Sequence, residues 1–215
     1  GLPVAERGNA EEEASINYLS NVASIEDIAI HVNIGTYIPK PHTPFEREEQ
    51  LSEYESLKII KNIRKNLRST KNIEISYHSP FLSVLEGLIS RGDESIGEII
   101  LYAYKKGARL DAWEEYIDPD IWNNALKNYN SKRGEGAWQR FLARRDENEN
   151  LPWNEISFKI SSKWLKNESK KAKSNQLTLI CNDNCTNRCG VCDNKNSIVS
   201  YNILYKDIKG SSSLP

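Results

Sequence analysis

The cysteines of this 215-residue chain are confined to one short stretch near its C-terminal end. All four, Cys181, Cys185, Cys189 and Cys192, are separated by only three, three and two residues. Thiolates bind soft metals and iron–sulfur clusters, and four of them at this spacing can wrap one centre. The Asn, Asp and Gly residues between them tolerate the tight turns that such wrapping needs. We therefore predict one metal or cluster centre held by all four cysteines, in preference to two disulfides or four free thiols.

The type of centre is left open between an iron–sulfur cluster and zinc. Compact cysteine runs occur in ferredoxin-like sites, whereas structural zinc sites usually separate two cysteine pairs by a longer spacer. The spacing therefore favours an iron–sulfur cluster, with zinc as the alternative. Backbone amides between the cysteines, together with Arg188, are the candidate hydrogen-bond donors to the thiolates.

Composition and charge exclude several broad classes of protein. Hydrophobic residues make up 38% of the chain and charged residues 27%, which excludes a wholly disordered chain. The net charge of −1 creates no global field toward nucleic acid or anionic membranes. The sequence holds no apolar run of membrane-spanning length and no signal peptide. We expect a soluble, cytoplasmic protein with no membrane partner, and nucleic acid is not an expected partner.

The first part of the chain alternates helices and strands. A helix is predicted from Asn9, followed by a strand over about 28–35 in which isoleucine or valine occupies every second position. Three prolines then forbid regular structure over 37–45. A long helix with an acidic first half is predicted over about 46–68, and a short strand over 73–77. This order is typical of the β/α units of α/β enzymes.

Polar side chains of this first part are candidate binding groups. His31 and Asn33 alternate with the apolar strand residues and therefore share one face, which in a barrel would be the lumen and otherwise a solvated surface. Lys40 and His42 lie in the proline-rich loop at the strand's C-terminal end, where phosphate and carboxylate groups are commonly bound. Alternatively, the three prolines only brace a connection.

The second part of the chain is predicted to be helical. Ser79-Pro80 and Asp118-Pro119 are typical helix starts, because a capping side chain precedes a proline at the first helical position. Further helices are predicted with Asp93 as the cap, over about 136–145, and from Ser162 to near Ser174. All five tryptophans lie in this part, which suggests a core of its own. Arg91 and Asp93 lie at helix ends, where caps or ion pairs are expected rather than catalysis.

Several stretches resemble the radical S-adenosylmethionine family that carries an N-terminal cobalamin-binding domain. Gly1-Leu2-Pro3 resembles the turn after a late barrel strand of these enzymes, and the segment from Asn33 to Phe45 resembles the next strand and loop. Four later stretches resemble the family's C-terminal extension: Ser90-Arg-Gly-Asp93, Gly107-Ala-Arg-Leu-Asp-Ala-Trp113, Leu151-Pro-Trp153 and the cysteine run.

The resemblance implies a mostly helical α+β fold with three parts. Residues 1–78 would be the end of the radical S-adenosylmethionine β/α barrel, 79–180 a helical C-terminal domain, and 181–215 the cysteine cluster and tail. Within the barrel remnant, the candidate cofactor-binding residues are Gly1, Pro3, His31, Asn33, Lys40 and His42.

The function that the resemblance implies belongs to a longer parent enzyme. In this family a reduced [4Fe–4S] cluster cleaves S-adenosylmethionine to a 5′-deoxyadenosyl radical, or works with cobalamin in methyl transfer. The chain contains no cobalamin domain and no CxxxCxxC loop ahead of its barrel remnant, so it is expected to be the C-terminal portion and inactive alone. The remainder of the parent, with its cobalamin and barrel domains, is the expected partner. S-adenosylmethionine and cobalamin are implied only for that parent, and no catalytic residue is assigned here.

The last three cysteines share the spacing of the family's cluster motif. Cys185, Cys189 and Cys192 form a CxxxCxxC run. In the family that motif follows the first barrel strand, whereas here it lies near the C-terminal end of the sequence, so we interpret the match as coincidental. A function from another class remains as the alternative, namely a non-catalytic zinc-binding module whose helical surface binds a protein or RNA.

Overall fold

The computed structural model of the chain describes residues 9–25, 29–157, 159–179, 187 and 189–191. These residues form a mostly helical α+β structure, as the sequence predicts. Its helices and strands are, in chain order, α1 (Asn9–Ala23), β1 (Ile30–Ile34), α2 (Glu53–Leu67), β2 (Ile73–Tyr77), α3 (Pro80–Arg91), α4 (Gly97–Lys105), α5 (Pro119–Arg133) and α6 (Ser162–Lys173). Short 3-10 turns occupy Glu94–Ile96, Glu114–Tyr116 and Gln139–Phe141. Within the described ranges, no helix is both long and apolar enough to cross a membrane.

The two strands form a parallel pair joined by helix α2. Ile30 lies opposite Ile73, and the register continues to Ile34 opposite Tyr77. Parallel neighbours need a long crossover connection, which α2 supplies. Burial alternates along β1, with Ile30, Val32 and Ile34 half-buried and the residues between them exposed. The alternation predicted from the sequence is therefore confirmed.

Helix α2 begins later than the sequence pattern indicates. Ser52 caps the helix: its hydroxyl accepts from the Glu55 backbone amide, and the Glu55 carboxylate accepts from the Ser52 amide. This capping box fixes the helix start at Glu53. The predicted start at Glu46 is wrong because the preceding residues are held by other contacts, including a 2.9 Å hydrogen bond from the Gln50 amide to the Leu142 carbonyl.

An apolar core is built by α3, α4, α5 and the turn Gln139–Phe141. Its buried members include Leu88, Ile99, Ala103, Trp122, Ala125, Leu126, Tyr129, Phe141 and Leu142. Asp118 caps α5 through the amides of Asp120 and Ile121, as its position before Pro119 predicts. The tryptophans do not all join a core, since Trp113 is 61% exposed.

The helix predicted over about 136–145 is reduced to the single 3-10 turn Gln139–Phe141. Gly136 has a positive φ of 76°, which an α-helix does not allow. The carbonyls of Phe141 and Ala143 accept hydrogen bonds from the Arg91 guanidinium. A side chain distant in sequence therefore takes the place of the helical hydrogen bonds.

The chain divides into two compact units. One comprises Gly1–Pro41 with Arg47–Pro152, and the other His42–Glu46 with Trp153–Pro215. In its described residues the first unit holds both strands and α1–α5, and the second holds α6. The three-part division at residues 78 and 180 stays a prediction.

Candidate functional site

The exposed face of the strand pair presents a row of polar side chains. His31 of β1 lies opposite Glu74 of β2, and Asn33 lies opposite Ser76. The His31 Nδ1 is 3.0 Å from the Glu74 Oε2, and each of the two side chains is 76% exposed. His31 and Asn33 thus share one face, as predicted. Whether that face lines a barrel lumen stays a prediction.

This exposed polar face is unusual for a parallel sheet. Parallel sheets are almost always covered on both faces, and two strands alone are only marginally stable in water. In the described residues the half-buried isoleucines of β1 occupy one face, while His31 and Glu74 occupy the other. The arrangement suits a surface that another layer of a larger fold or a ligand would cover.

Lys40 lies beyond the strand end and bonds to helix α3. Its ammonium group pairs with the carboxylate of Glu86, and both side chains are partly exposed. Pro39, the residue before it, is fully buried. The burial of Pro39 supports the alternative that the prolines brace a connection. Lys40 lies at the surface beside the Glu86 carboxylate.

His42 belongs to a second cluster of contacts, in the unit that contains α6. Its backbone amide donates to the Glu46 Oε2 over 2.9 Å, and the Trp153 indole Nε1–H donates to the same oxygen over 2.8 Å. Glu46 is buried. His42 itself has a positive φ of 57°, a conformation that is uncommon for residues other than glycine, although histidine adopts it more often than most. The buried carboxylate thus fixes the shape of the loop.

Glu46 joins two stretches that the sequence singled out separately. Glu46 directly follows the proline-rich loop that ends at Phe45, and Trp153 ends the stretch Leu151-Pro-Trp153. The hydrogen bond between Glu46 and Trp153 joins residues that are 107 positions apart in the sequence. Sequence reasoning missed Glu46 because the residue reads as one of several acids in the first turn of a helix. A glutamate followed by more acids carries no signal of burial, so nothing local would have identified it.

Arg91 is the most deeply buried charged group in the described part of the chain. It is 0% exposed, and its guanidinium donates to the carbonyls of Phe141 at 3.0 Å, Glu48 at 2.8 Å and Ala143 at 3.0 Å. Burial, and then the charge of Arg145, lower the pKa of Arg91 to about 10, against the opposing effects of Tyr37, Glu149 and Glu48. The group stays charged at neutral pH and, through these three carbonyls, acts as a structural clamp.

Tyr37 and Glu48 lie beside this clamp. Burial, and then the charge of Glu48, raise the pKa of the Tyr37 phenol, which Arg91 partly offsets. The buried Glu48 carboxylate pairs with Arg144 at 2.8 Å. Arg91, Glu48 and Arg144 therefore form one network that holds residues 47–50 against residues 141–145.

The described end of the cysteine run packs against the start of α6. The Cys189 carbonyl accepts from the Ser161 amide over 2.7 Å, and Ser161 is the N-cap of α6. Gly190 has a φ of 96°, and a Cβ at this position would lie 2.3 Å from the Lys159 carbonyl oxygen. Only glycine permits so close an approach. Cys189 and Gly190 are therefore held by backbone contacts at a helix N-terminus.

The remaining candidate residues lie outside the described part of the chain. Cys181, Cys185 and Cys192 are among them, as are Gly1 and Pro3. Cys189 is half-buried and not in a disulfide. No group of three or more metal-binding side chains occurs within the described residues. Since they include one of the four cysteines, the predicted centre stays a prediction.

Comparison with known proteins finds a distant relative in an archaeon. An uncharacterized protein of Methanocaldococcus jannaschii is 29% identical over 136 residues, which cover 59% of this chain and 29% of the relative. The chain thus spans less than a third of the length of that relative. No family model matches the chain. No solved structure matches it either.

Proposed function

We propose that this chain forms the C-terminal part of a radical S-adenosylmethionine iron–sulfur enzyme and is inactive alone. The observation that carries the proposal is the parallel β1–α2–β2 unit with His31 and Glu74 on an exposed face. A β/α barrel consists of such units, with polar residues on the strands and loops where the ligand binds. Further strands of the parent would cover the open edges of this pair.

The length of the relative supports a longer parent. The matched stretch is 29% of the archaeal protein. A two-stranded parallel sheet gains stability when more strands extend it, because the added strands pair with the backbone N–H and C=O groups of its open edges. A chain that supplies one β/α unit and a helical domain to a larger enzyme accounts for both observations.

The donor set and the position of Cys189 support a cluster at the cysteine run. Four cysteine thiolates are the usual ligands of an iron–sulfur cluster. The backbone carbonyl of Cys189 accepts from the Ser161 amide at the start of α6, and a thiolate held near this helix N-terminus would be favoured by the helix dipole. The bound cluster would supply electron transfer. The chain's own contribution is to hold the run through Ser161 and Gly190 and to offer backbone amides to the sulfurs.

Anaerobic reconstitution of the chain with iron and sulfide tests the cluster. We expect a brown sample with visible charge-transfer absorption and loss of iron in Cys189→Ser. Ser169→Ala, a half-buried hydroxyl in α6, is the matched control and should bind iron as the wild type does. A colourless protein that retains zinc would contradict the proposal and favour the zinc-binding interaction module.

An activity assay tests the second half of the proposal. The reduced, reconstituted chain should form no 5′-deoxyadenosine from S-adenosylmethionine, because the described residues hold a two-stranded sheet and no complete barrel that would position the sulfonium against an iron. Steady formation of that product would show that Cys185, Cys189 and Cys192 bind the catalytic cluster. A CxxxCxxC loop encoded upstream of Gly1 would assign the parent's class directly.

A further inference from the structure

A pocket of about 620 Å³ opens in the unit that contains both strands. It lies among the start of α2, helices α3 and α5, and the turn that follows α5. Its floor is apolar and buried, formed by Phe81, Val84, Leu126 and Leu142. Tyr54 and Trp138 add two aromatic rings at the walls. The volume lies within the ~300–1,000 Å³ range typical of small-molecule sites, and an apolar floor suits an apolar ligand body.

The mouth of this pocket carries negative charge. Three exposed acids lie along it, Glu49, Glu53 and Glu55. The hydrogen bonds from Ser52 lower the pKa of the Glu55 carboxyl, so that this group is ionised at neutral pH. Arg140 is the basic residue of the lining, and its guanidinium is 3.4 Å from the carboxylate of Asp93. The mouth therefore favours a cation over an anion.

Gln50 forms part of the pocket wall and is 2% exposed. Its Nε2 donates to the Ser83 carbonyl over 2.7 Å, and its Oε1 lies against Gly87, so the polar end of this side chain packs on helix α3. The charged groups that a ligand would meet are therefore the acids of the mouth.

We propose that this pocket binds a small organic cation, an amine whose ammonium group is attached to an aromatic or aliphatic body. The body would occupy the floor around Val84 and Leu126. The ammonium would face the carboxylates of Glu49 and Glu53 and the rings of Tyr54 and Trp138, whose faces attract cations. This binding is a property beyond the proposed radical chemistry and does not depend on it.

Phenethylamine is the probe, and 2-phenylethanol is its uncharged counterpart. Each is titrated into the full chain, with binding followed by NMR through the indole N–H of Trp138, assigned with Trp138→Phe. We expect phenethylamine to bind at least about fivefold more tightly than 2-phenylethanol. Its affinity alone should fall when NaCl is raised from 0.15 M to about 1 M, because salt screens exposed charges.

The double variant Glu49→Gln/Glu53→Gln should weaken phenethylamine about five- to tenfold and leave 2-phenylethanol unchanged. The matched control is Glu114→Gln/Glu115→Gln, which removes two exposed acids outside the pocket lining and should leave both affinities unchanged. Equal binding of the amine and the alcohol, or equal losses in the two double variants, would overturn the proposal. The salt comparison on the wild type decides the question without any variant.

Discussion

The indole N–H of Trp153 donates to the buried carboxylate of Glu46 over 2.8 Å, and the same carboxylate oxygen accepts from the His42 amide. One side chain therefore sets the backbone of the proline-rich loop and fixes it to a residue 107 positions away. A carboxylate that accepts two hydrogen bonds in a buried position is costly to leave without its donors.

The first prediction concerns this pair. Trp153→Phe removes the indole donor and keeps an aromatic ring, and we expect it to lower the free energy of unfolding by about 1–3 kcal/mol. Glu46→Gln keeps an acceptor oxygen and should cost less. Chemical denaturation gives the free energy of unfolding of both variants when it is followed by far-UV circular dichroism, which does not rely on tryptophan fluorescence. Glu155→Gln, an exposed acid of the same unit, is the control and should lie within about 0.5 kcal/mol of the wild type. An unchanged free energy of unfolding in Trp153→Phe would show that this hydrogen bond contributes nothing to stability.

The second prediction concerns the buried guanidinium. Arg91→Met would leave the carbonyls of Phe141, Glu48 and Ala143 without donors, so we expect a loss of at least about 3 kcal/mol in the free energy of unfolding. Arg91→Lys keeps the charge but lacks the planar fork, and it should recover only part of the loss.

The control for Arg91 is Arg68→Met, an exposed cation beyond the end of α2. Denaturation should place it within about 0.5 kcal/mol of the wild type. If Arg91→Lys were as stable as the wild type, the charge rather than the three-carbonyl geometry would be what stabilises this region.

Local signals explain how much of the fold the sequence predicts. The starts of α3, α5 and α6 follow from a capping residue or proline within the same few positions, and the alternation of β1 follows from the period of a strand. These signals depend only on residues that are close in the sequence, so the sequence alone is enough to predict them. The candidate strand residues His31 and Asn33 were placed correctly on one face for the same reason.

Long-range contacts explain what the sequence does not predict. Residues 46–52 and 136–145 carry helical patterns, yet their backbone groups bond to distant partners. The Gln50 amide bonds to Leu142, and the carbonyls of Phe141 and Ala143 bond to Arg91, 50 and 52 residues away. The hydrogen bond between the buried Glu46 and Trp153 is another such long-range contact. A pattern of neighbours contains no information about such partners.

The third prediction concerns a close approach between helix α3 and the loop before α2. A Cβ added at Gly87 would lie 1.8 Å from the Gln50 Oε1, so Gly87→Ala must displace the buried amide. We expect it to lower the free energy of unfolding by about 1–3 kcal/mol despite the better helix propensity of alanine. Gly97→Ala, in a helix where a Cβ meets nothing within 4 Å, should be neutral or slightly stabilising.

A double variant separates crowding from backbone effects at this position. Gln50→Ala/Gly87→Ala removes the side chain that the new Cβ meets, so the two substitutions together should cost less than the sum of their separate effects. Strict additivity in denaturation experiments would mean that Gly87 is not needed for the approach of Gln50.

The fourth prediction concerns pH and Tyr37. The pKa of its phenol is raised in the folded state, first by burial and then by Glu48. Above the ordinary value of 10.0 the unfolded chain loses this proton while the folded chain keeps it, so stability falls as the pH rises through that range. The wild type should therefore lose more stability than Tyr37→Phe between about pH 9 and 11 in parallel denaturation series. Tyr18→Phe, an exposed tyrosine, should lose as much as the wild type. Parallel curves for all three proteins would contradict the raised pKa.

The last prediction concerns the anchoring of the cysteine run, and its iron readout rests on the proposed cluster. Gly190 combines a positive φ of 96° with a close approach to the Lys159 carbonyl, whereas Gly107 has a φ of 107° with nothing within 4 Å of an added Cβ. Both alanine variants carry the same backbone strain, but Gly190→Ala also pushes the run away from the start of α6. Limited proteolysis with intact-mass readout should therefore show faster cleavage around residues 176–192 in Gly190→Ala alone, together with less iron bound per chain after reconstitution.

Equal cleavage rates in the two variants would refute the anchoring contact itself. Faster cleavage with unchanged iron content would retain the contact and show that cluster binding does not depend on it.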